Sequence, residues 1–237
     1  DPAMVNYPEF DLNDPYTLPE LTEVKEDGSI VAVDPATLTA EQKQEKLNAM
    51  WRNGCINDTY EPGSTFKIIT AAAGLEAGVV NLTDQFSCPG FRIVEDRKIR
   101  CHKVGGHGGE TFLQGMMNSC NPVLIDVGQR LGPERYYQYF KQFGLLGKTG
   151  IDLPGEAVGI LQSPDGMIKT DLATNSFGQN FNVTMLQLAT GFCSLINGGD
   201  YYEPHLVKAI QDENGNVIQT IDPVLEKKTI SKETSDN

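Results

Sequence analysis

Tyr60-Glu61-Pro62-Gly63-Ser64-Thr65-Phe66-Lys67 runs straight into Ile68-Ile69-Thr70-Ala71-Ala72-Ala73, and the reading of this stretch decides the rest. Pro62-Gly63 is a turn signal, and the residues after it read as a helix start. The predicted buried helix runs from Ser64 to Leu75. Ser64 and Lys67 are three residues apart, so on a helix they share a face. Ser64 falls in the first turn, where unpaired N–H groups and the positive dipole end favour a developing anion. Lys67 is expected to stand over it, in a wall that is otherwise apolar. Desolvation there favours the neutral amine, which can act as a base. The pattern is that of a serine nucleophile activated by lysine. A Ser-x-x-Lys tetrad is common by chance, and a serine after a turn is more often only a cap. This is the single such tetrad in the chain, and its lysine destabilises a buried helix unless the charge is used or paired.

The 237 residues are 39% hydrophobic and 22% charged, enough for one sizeable core or a core plus a small lobe. A net charge of −13 argues against nucleic acid and against an anionic membrane surface as partners. No stretch reaches the length of a membrane span, and no signal peptide is present. That says little, because Ala3-Met4-Val5-Asn6-Tyr7-Pro8 already reads as the end of a strand inside a domain, so the chain is expected to begin mid-fold. Five cysteines, an odd number without close pairs, argue against a simple disulfide framework.

Residues 8–37 are rich in Pro, Asp and Glu and read as an irregular surface segment. Thr39 to Trp51 reads as a helix, with Thr39 as cap and Gln42 completing a capping box. Residues 78–110 carry Gly, Cys and His in short extended pieces and read as a loop-rich insertion with little core of its own. Thr111 to Leu131 holds a helix, a break at Asn118-Ser119-Cys120-Asn121-Pro122, and a second helix. Pro133 to Phe143 is another, with Tyr136, Tyr137, Phe140 and Phe143 as core. Residues 144–167 are turn-rich. Thr184 to Ile196 is an apolar helix closed by Asn197-Gly198-Gly199. His205 to Ile210 and Val217 to Ile221 alternate around Asn214-Gly215, a hairpin signal.

A serine–lysine acyl-transfer site needs a proton relay to the leaving amine and a polar arm for the substrate amide. Ser119-Cys120-Asn121 offers a hydroxyl and an amide on one short break, fixed by the following proline. Read alone, it is more simply a helix cap beside a proline. Two other triplets compete. Lys148-Thr149-Gly150 spells a lysine-threonine-glycine box, and Ser235-Asp236-Asn237 spells a serine-aspartate-asparagine box. The first lies in a turn ahead of Pro154-Gly155, not on an apolar strand. The second is the chain terminus, and the order of the two is reversed. Both read as coincidences.

With these residues in view, the chain resembles the transpeptidase domain of class B penicillin-binding proteins. Glu61 to Lys67 is similar to the family's first active-site box and Asn118 to Pro122 to its second. Gly150-Ile151-Asp152-Leu153-Pro154-Gly155-Glu156 resembles the stretch that follows. Ser176-Phe177-Gly178-Gln179 with Val183-Thr184-Met185-Leu186-Gln187-Leu188-Ala189 resembles a further shared block. The likeness covers nearly all of residues 3–237. Around Cys88, Cys101 and Gly106-His107-Gly108 it is closest to sporulation-type members. The resemblance implies an α/β (α+β) fold of the penicillin-binding-protein and β-lactamase type, an antiparallel sheet flanked by helices, incomplete here. Residues 1–237 would be a partial transpeptidase domain with an insertion at about 78–110. The family's third box, which supplies a cation for the substrate carboxylate and one oxyanion N–H, would follow the last residue, so these residues alone are expected to acylate slowly or not at all.

The resemblance further implies a peptidoglycan D,D-transpeptidase. Ser64 would attack the penultimate D-Ala carbonyl of a stem peptide, with Lys67 taking the serine proton. Ser119 would relay a proton to the leaving nitrogen, Asn121 would hold the substrate amide, and the Ser64 N–H would be half of the oxyanion hole. Gln179 is expected on a loop near the site. β-Lactams would acylate the same serine, and catalysis would need no cofactor. The family acts outside the cytoplasm on an N-terminal membrane anchor, in division or sporulation, in some cases beside a cell-wall glycosyltransferase. Two other readings are a β-lactam hydrolase or sensor and a non-catalytic cell-wall scaffold.

A structural zinc is the remaining expectation. Cys88 and Cys101 are separated by twelve residues, and His107 follows in the same loop-rich stretch. With Asp58 as fourth ligand, they would staple the insertion to the nucleophile helix. A Cys88–Cys101 disulfide or buried free thiols are the alternatives, the latter assumed for Cys120 and Cys193. Cys55 and His102 are alternative ligands.

Overall fold

The computed structural model of the chain describes residues 13–19 and 21–237. The strand end expected at Ala3 to Pro8 lies outside the described residues. The chain divides into two compact units, Asp1–Asp58 and Thr59–Asn237.

The first unit holds an antiparallel hairpin, β1 (Leu21–Val24) and β2 (Ile30–Val33), then helices α1 (Ala40–Trp51) and α2 (Gly54–Asn57). The hairpin falls inside the stretch read as irregular. Its signal was Asp27-Gly28: Gly28 takes φ +82°, and the Asp27 carboxylate accepts from Ser29 N–H at 2.9 Å. α1 starts at the expected capping box, with Gln42 N–H donating to Thr39 Oγ1 and Gln42 Oε1 accepting from Thr39 N–H.

The second unit runs β3 (Thr59–Tyr60), a 3₁₀ turn (Gly63–Phe66), α3 (Lys67–Glu76), β4 (Gln85–Cys88), β5 (Phe91–Val94), β6 (Arg97–Arg100) and β7 (Gly108–Thr111). It continues with α4 (Phe112–Met117), α5 (Asn121–Gln142), α6 (Lys169–Asn175), β8 (Val183–Thr184), α7 (Met185–Ile196) and β9 (Asp200–Tyr202). β10 (Ala209–Gln211), β11 (Val217–Thr220), β12 (Leu225–Lys228) and α8 (Lys232–Asp236) complete it. The strands pair as separate antiparallel ladders: β3–β8, β4–β7, β5–β6, β9–β12 and β10–β11. The mixed helical and antiparallel composition agrees with the expected fold class.

α5 is the axis of this unit. Val123, Leu124, Ile125 and Val127 are fully buried. α3 packs on it closely enough that a Cβ on Gly74 would meet Val127 Cγ1 at 2.6 Å. The helix breaks at Gly132 (φ +75°), so Asn121 to Leu131 and Pro133 to Gln142 are separate helices, as the proline suggested. Tyr136, Phe140 and Phe143 are core as expected, but Tyr137 is only half-buried. The extended pieces expected at 78–110 are β4 to β7, and they send Phe86, Cys88, Val94 and Cys101 into the same core as α3 and α5. α7 carries a Thr184–Gln187 capping box and ends at Asn197, with Gly198 and Gly199 both at positive φ. The Asn214-Gly215 turn joins β10 and β11 as predicted. The β9–β12 ladder and α6 were not expected from the sequence: the strands are short, and α6 is a seven-residue helix in whose cap the Ile168 N–H donates to the Asp171 carboxylate.

Candidate active site

The nucleophile turn is a 3₁₀ turn, not the first turn of an α-helix. With three residues per turn it aligns Ser64 and Lys67 directly, and the Lys67 N–H donates to Ser64 O. Phe66 anchors the turn in the core: its ring lies 5.6 Å from Phe140 and 4.6 Å from Phe181. Two bonds hold it from the other side. Gly63 N–H donates to Gly178 O at 2.8 Å, and Asn180 N–H donates to Glu61 Oε1 at 2.9 Å.

Ser64 is exposed at the mouth of a cavity of about 310 Å³ lined also by Arg100, His102, Asn121, Phe177 and Gln179. Lys67 lies below it and is 2% exposed. Its Nζ donates to Ser119 O at 2.7 Å, Ser119 Oγ at 2.8 Å and Asn121 Oδ1 at 2.7 Å. All three ammonium protons are thus directed at the second motif rather than at Ser64. Burial lowers the pKa of the Lys67 ammonium to about 8, with the electrostatic influence of the neighbouring cysteine sulfurs acting in the opposite direction. Asn121 is held at its other end, where Nδ2 donates to Arg100 O at 3.0 Å. Ser119 sits at φ +50°, a strained value for a residue with a Cβ, and the break between α4 and α5 is what requires it. Four residues from two distant stretches of chain, Ser64, Lys67, Ser119 and Asn121, therefore converge, and Gln179 joins them as expected. Arg100 had not been anticipated, because nothing in its local sequence marks it; His102 was expected only as an alternative metal ligand and Phe177 only as part of a shared block.

The two competing triplets have structural uses. Thr149 N–H and Oγ1 donate to the buried Glu156 carboxylate at 2.7 and 2.6 Å, so Lys148-Thr149-Gly150 closes an internal loop. Ser235 Oγ donates to Leu195 O and accepts from Gly198 N–H, tying α8 to the end of α7.

Behind Ser119 and Asn121 lies a second cluster. The ligand atoms of Cys88, Cys101, His107 and Cys120 all lie within 4.8 Å of one another. Cys88 ends β4, Cys101 follows β6, His107 precedes β7, and Cys120 caps α5. Asp58 is not brought in. It belongs to the other unit, where its carboxylate takes the Arg52 guanidinium, and Cys120 supplies the fourth group. Cys120 had been read as an isolated buried thiol; its partners come from stretches far off in sequence. Cys55 and His102 also stay outside the cluster, and Cys193, expected to be buried, is exposed. None of the five cysteines is bridged. Burial opposes ionisation of Cys88, yet the backbone N–H groups of His107 and Gly90 outweigh it and hold the thiol below its ordinary value. Burial pushes Cys120 the other way. Glu110, 3% exposed, lies beside His107, and its Oε1 has no hydrogen-bond partner.

A deep lysine beneath a serine, bound to a hydroxyl and an amide from the break that opens a second helix, is the arrangement that serine–lysine acyl transfer requires. The chain belongs to the family described as "Penicillin binding protein transpeptidase domain", whose model matches residues 28–237. It is similar to stage V sporulation protein D of Bacillus subtilis strain 168, 44% identical over 186 residues that cover 78% of this chain and 29% of that protein. It is also similar to penicillin-binding protein 3 of Mycobacterium tuberculosis in complex with aztreonam, with TM-score 0.69 and 27% identity, over 86% of this chain and 44% of that one. The D,D-transpeptidase domain of an Eggerthella lenta peptidoglycan glycosyltransferase shares the fold at TM-score 0.74 and 24% identity, over 81% of this chain and 51% of that one. The chain spans less than a third of the length of the curated relative. Among the described residues, no helix is long and apolar enough to cross a membrane.

Proposed function

We propose that this chain carries the acylating machinery of a peptidoglycan D,D-transpeptidase. The observation that supports it most is the convergence of Lys67 Nζ on Ser119 and Asn121 beneath an exposed Ser64. In this reading neutral Lys67 accepts the Ser64 proton as Oγ attacks the penultimate D-Ala carbonyl of a stem peptide. Collapse of the tetrahedral adduct breaks the peptide C–N bond. Ser119 Oγ, already bonded to Lys67, passes a proton to the departing D-Ala amine. Asn121 orients the substrate amide, and an amine of a second stem peptide resolves the acyl-enzyme. β-Lactams take the same path as far as the acyl-enzyme. No carboxylate lines the cavity at Ser64 among the described residues, which favours slow deacylation over a β-lactam hydrolase. An extracytoplasmic location on a membrane anchor, and work beside a cell-wall glycosyltransferase, belong to the same reading. Fluorescent penicillin should label Ser64 in the full-length protein, and Ser64→Ala should abolish labelling. An adduct mapped to another residue would refute the assignment.

The second part of the proposal is a structural zinc held by Cys88, Cys101, His107 and Cys120. Three sulfurs and one imidazole are a closed donor set suited to zinc. Bound there, the ion would cross-link the 78–110 segment to the start of α5. Cys120 stands between Ser119 and Asn121, and Cys101 follows Arg100, whose carbonyl holds Asn121, so the cross-link would brace the active site from two sides. Elemental analysis should find about one zinc per chain, lost together with thermal stability in Cys101→Ser and in Cys120→Ser. A metal-free protein with a Cys88–Cys101 disulfide would exclude it.

A further inference from the structure

The second motif stands on a strained helix end. α4 starts at a Thr111–Gln114 capping box directly after Glu110 and ends with Asn118 as its C-cap. Beyond it, Ser119 N–H donates to Met116 O at 2.9 Å and Cys120 N–H donates to Gly115 O at 2.8 Å. This pair of bonds is a Schellman motif, whose left-handed position is usually glycine. Here that position is Ser119, at φ +50°. The strained turn delivers two atoms to one place: Ser119 O and Oγ accept from Lys67 Nζ at 2.7 and 2.8 Å. A backbone rotation at Ser119 moves both off the lysine. Glu110 holds the turn from the β4–β7 ladder, where it pairs with Phe86. It is 3% exposed, and its Oε2 accepts from Asn118 Nδ2 at 2.9 Å. The bond therefore ties the residue before α4 to the residue that ends it. Oε1 is buried without a hydrogen-bond partner and lies 3.8 Å from His107 Nδ1. An incompletely bonded carboxylate is a costly way to fill buried space, and an apolar side chain would serve packing better. What the carboxylate adds is its grip on Asn118.

We propose that Glu110 is a positioning residue for protonation of the leaving group: through Asn118 it keeps Ser119 left-handed, with Oγ on Lys67 and set to donate to the departing amine. The inference rests on the transpeptidase reading, in which Ser119 carries that proton, and adds to it a residue that does not line the cavity at Ser64. Glu110 itself gives up no proton. As the C–N bond breaks, Ser119 Oγ passes its proton to the amine nitrogen, and the Lys67 ammonium, formed when Ser64 was deprotonated, replaces it. The effect therefore depends on the leaving group. An amine must be protonated to depart, whereas a thiolate leaves without a proton.

The test uses the full-length protein and two substrates with the same acyl part ending in D-Ala, one a D-Ala amide and the other a thioester. kcat/KM is measured for release of D-alanine and of the thiol. Glu110→Leu and Asn118→Ala should each slow the amide by about tenfold and the thioester by less than about twofold. Glu110→Gln keeps an acceptor for Asn118 and should restore the amide rate to within about threefold of the unmodified protein. The double variant Glu110→Leu/Asn118→Ala should be no slower than the slower single one, because both remove the same bond. Asn118 is exposed, so its variant is expected to fold even if Glu110→Leu does not. Metal content is measured in every preparation, because Glu110 also lies beside His107. Equal slowing of the two substrates, a Glu110→Gln variant as slow as Glu110→Leu, additive effects, or slowing that follows zinc content would overturn the assignment. So would an Asn118→Ala variant that cleaves the amide at full rate. An unmodified protein that neither releases the thiol nor takes penicillin at Ser64 would instead refute the underlying transpeptidase reading.

Discussion

Gly178→Ala is the most informative single substitution in this chain. Gly178 sits at φ +89°, and a Cβ there would lie 1.9 Å from Gly63 O, 2.6 Å from Gly63 C and 2.8 Å from Gly63 Cα. Ordinary contact begins at 3.4 Å, so one backbone must retreat by about 1.5 Å. What it presses on is the main chain of the residue before Ser64, which cannot rotate away as a side chain could. The retreat also breaks the 2.8 Å bond from Gly63 N–H to Gly178 O. The left-handed conformation costs an alanine about 1–2 kcal/mol, and the lost hydrogen bond about 1 kcal/mol more. Stability should fall by about 2–4 kcal/mol once the overlap is included. Ser64 moves with Gly63, and a displacement near 1 Å costs about 100-fold in a positioned reaction. Gly215→Ala is the matched control. Its φ is +83°, nearly the same, but nothing lies within 4 Å of the added Cβ. It should cost only the conformational share, about 1–2 kcal/mol, and leave acylation untouched. Stopped-flow acylation by a chromogenic cephalosporin, with denaturant melts of both variants, measures the two effects. If Gly178→Ala acylated as fast as Gly215→Ala, the coupling of the 176–180 loop to the nucleophile turn would be refuted.

Three further outcomes follow from the site. Acylation should rise with pH through about 8, because Lys67 must lose its proton to act as base and burial has lowered it to that value; a profile flat over about pH 7–9 would exclude Lys67 as the base. Asn121→Ala removes one of three acceptors from a buried ammonium and should slow acylation by about 100-fold or more, whereas Asn237→Ala, whose Nδ2 only caps the last turn at Glu233 O, should be near neutral; equal effects in a labelling assay would reverse the assignment of the second motif. Glu156→Gln should cost about 1–3 kcal/mol of stability by weakening the bonds to Thr149, while Lys148→Ala, on the same triplet, leaves penicillin labelling intact; loss of labelling with Lys148→Ala would make that triplet part of the site.

The unpaired acceptor on Glu110 bears on how the two clusters are joined. Its Oε2 accepts from Asn118 Nδ2 at 2.9 Å, and Asn118 immediately precedes Ser119. A buried carboxylate thus links the strand leading from His107 to the break that presents the second motif. In the proposed zinc site this would be an outer contact of the kind that orients a ligating imidazole.

The sequence by itself determined whatever is written in near neighbours. The Thr39 and Thr184 capping boxes, the Asn214-Gly215 hairpin and the proline after the second motif involve groups at most a few residues apart. Local geometry fixes them whatever the surroundings. Ser64 and Lys67 are legible for the same reason, being one 3₁₀ turn apart. The family resemblance added Ser119 and Asn121 through their order along the chain, not through any contact that spacing could reveal. Only the tertiary structure decided where the lysine points. Three acceptors from residues 119–121 receive its ammonium, and their positions depend on the packing of α3 against α5. The same holds for the thiol cluster. Cys120 joins Cys88, Cys101 and His107, while Asp58 is claimed by Arg52 six residues away, because a short-range ion pair is available to Asp58 and a long-range meeting is imposed on Cys120 by the fold. Distance in space between residues far apart in sequence is set by the burial of the core. No local pattern carries that information.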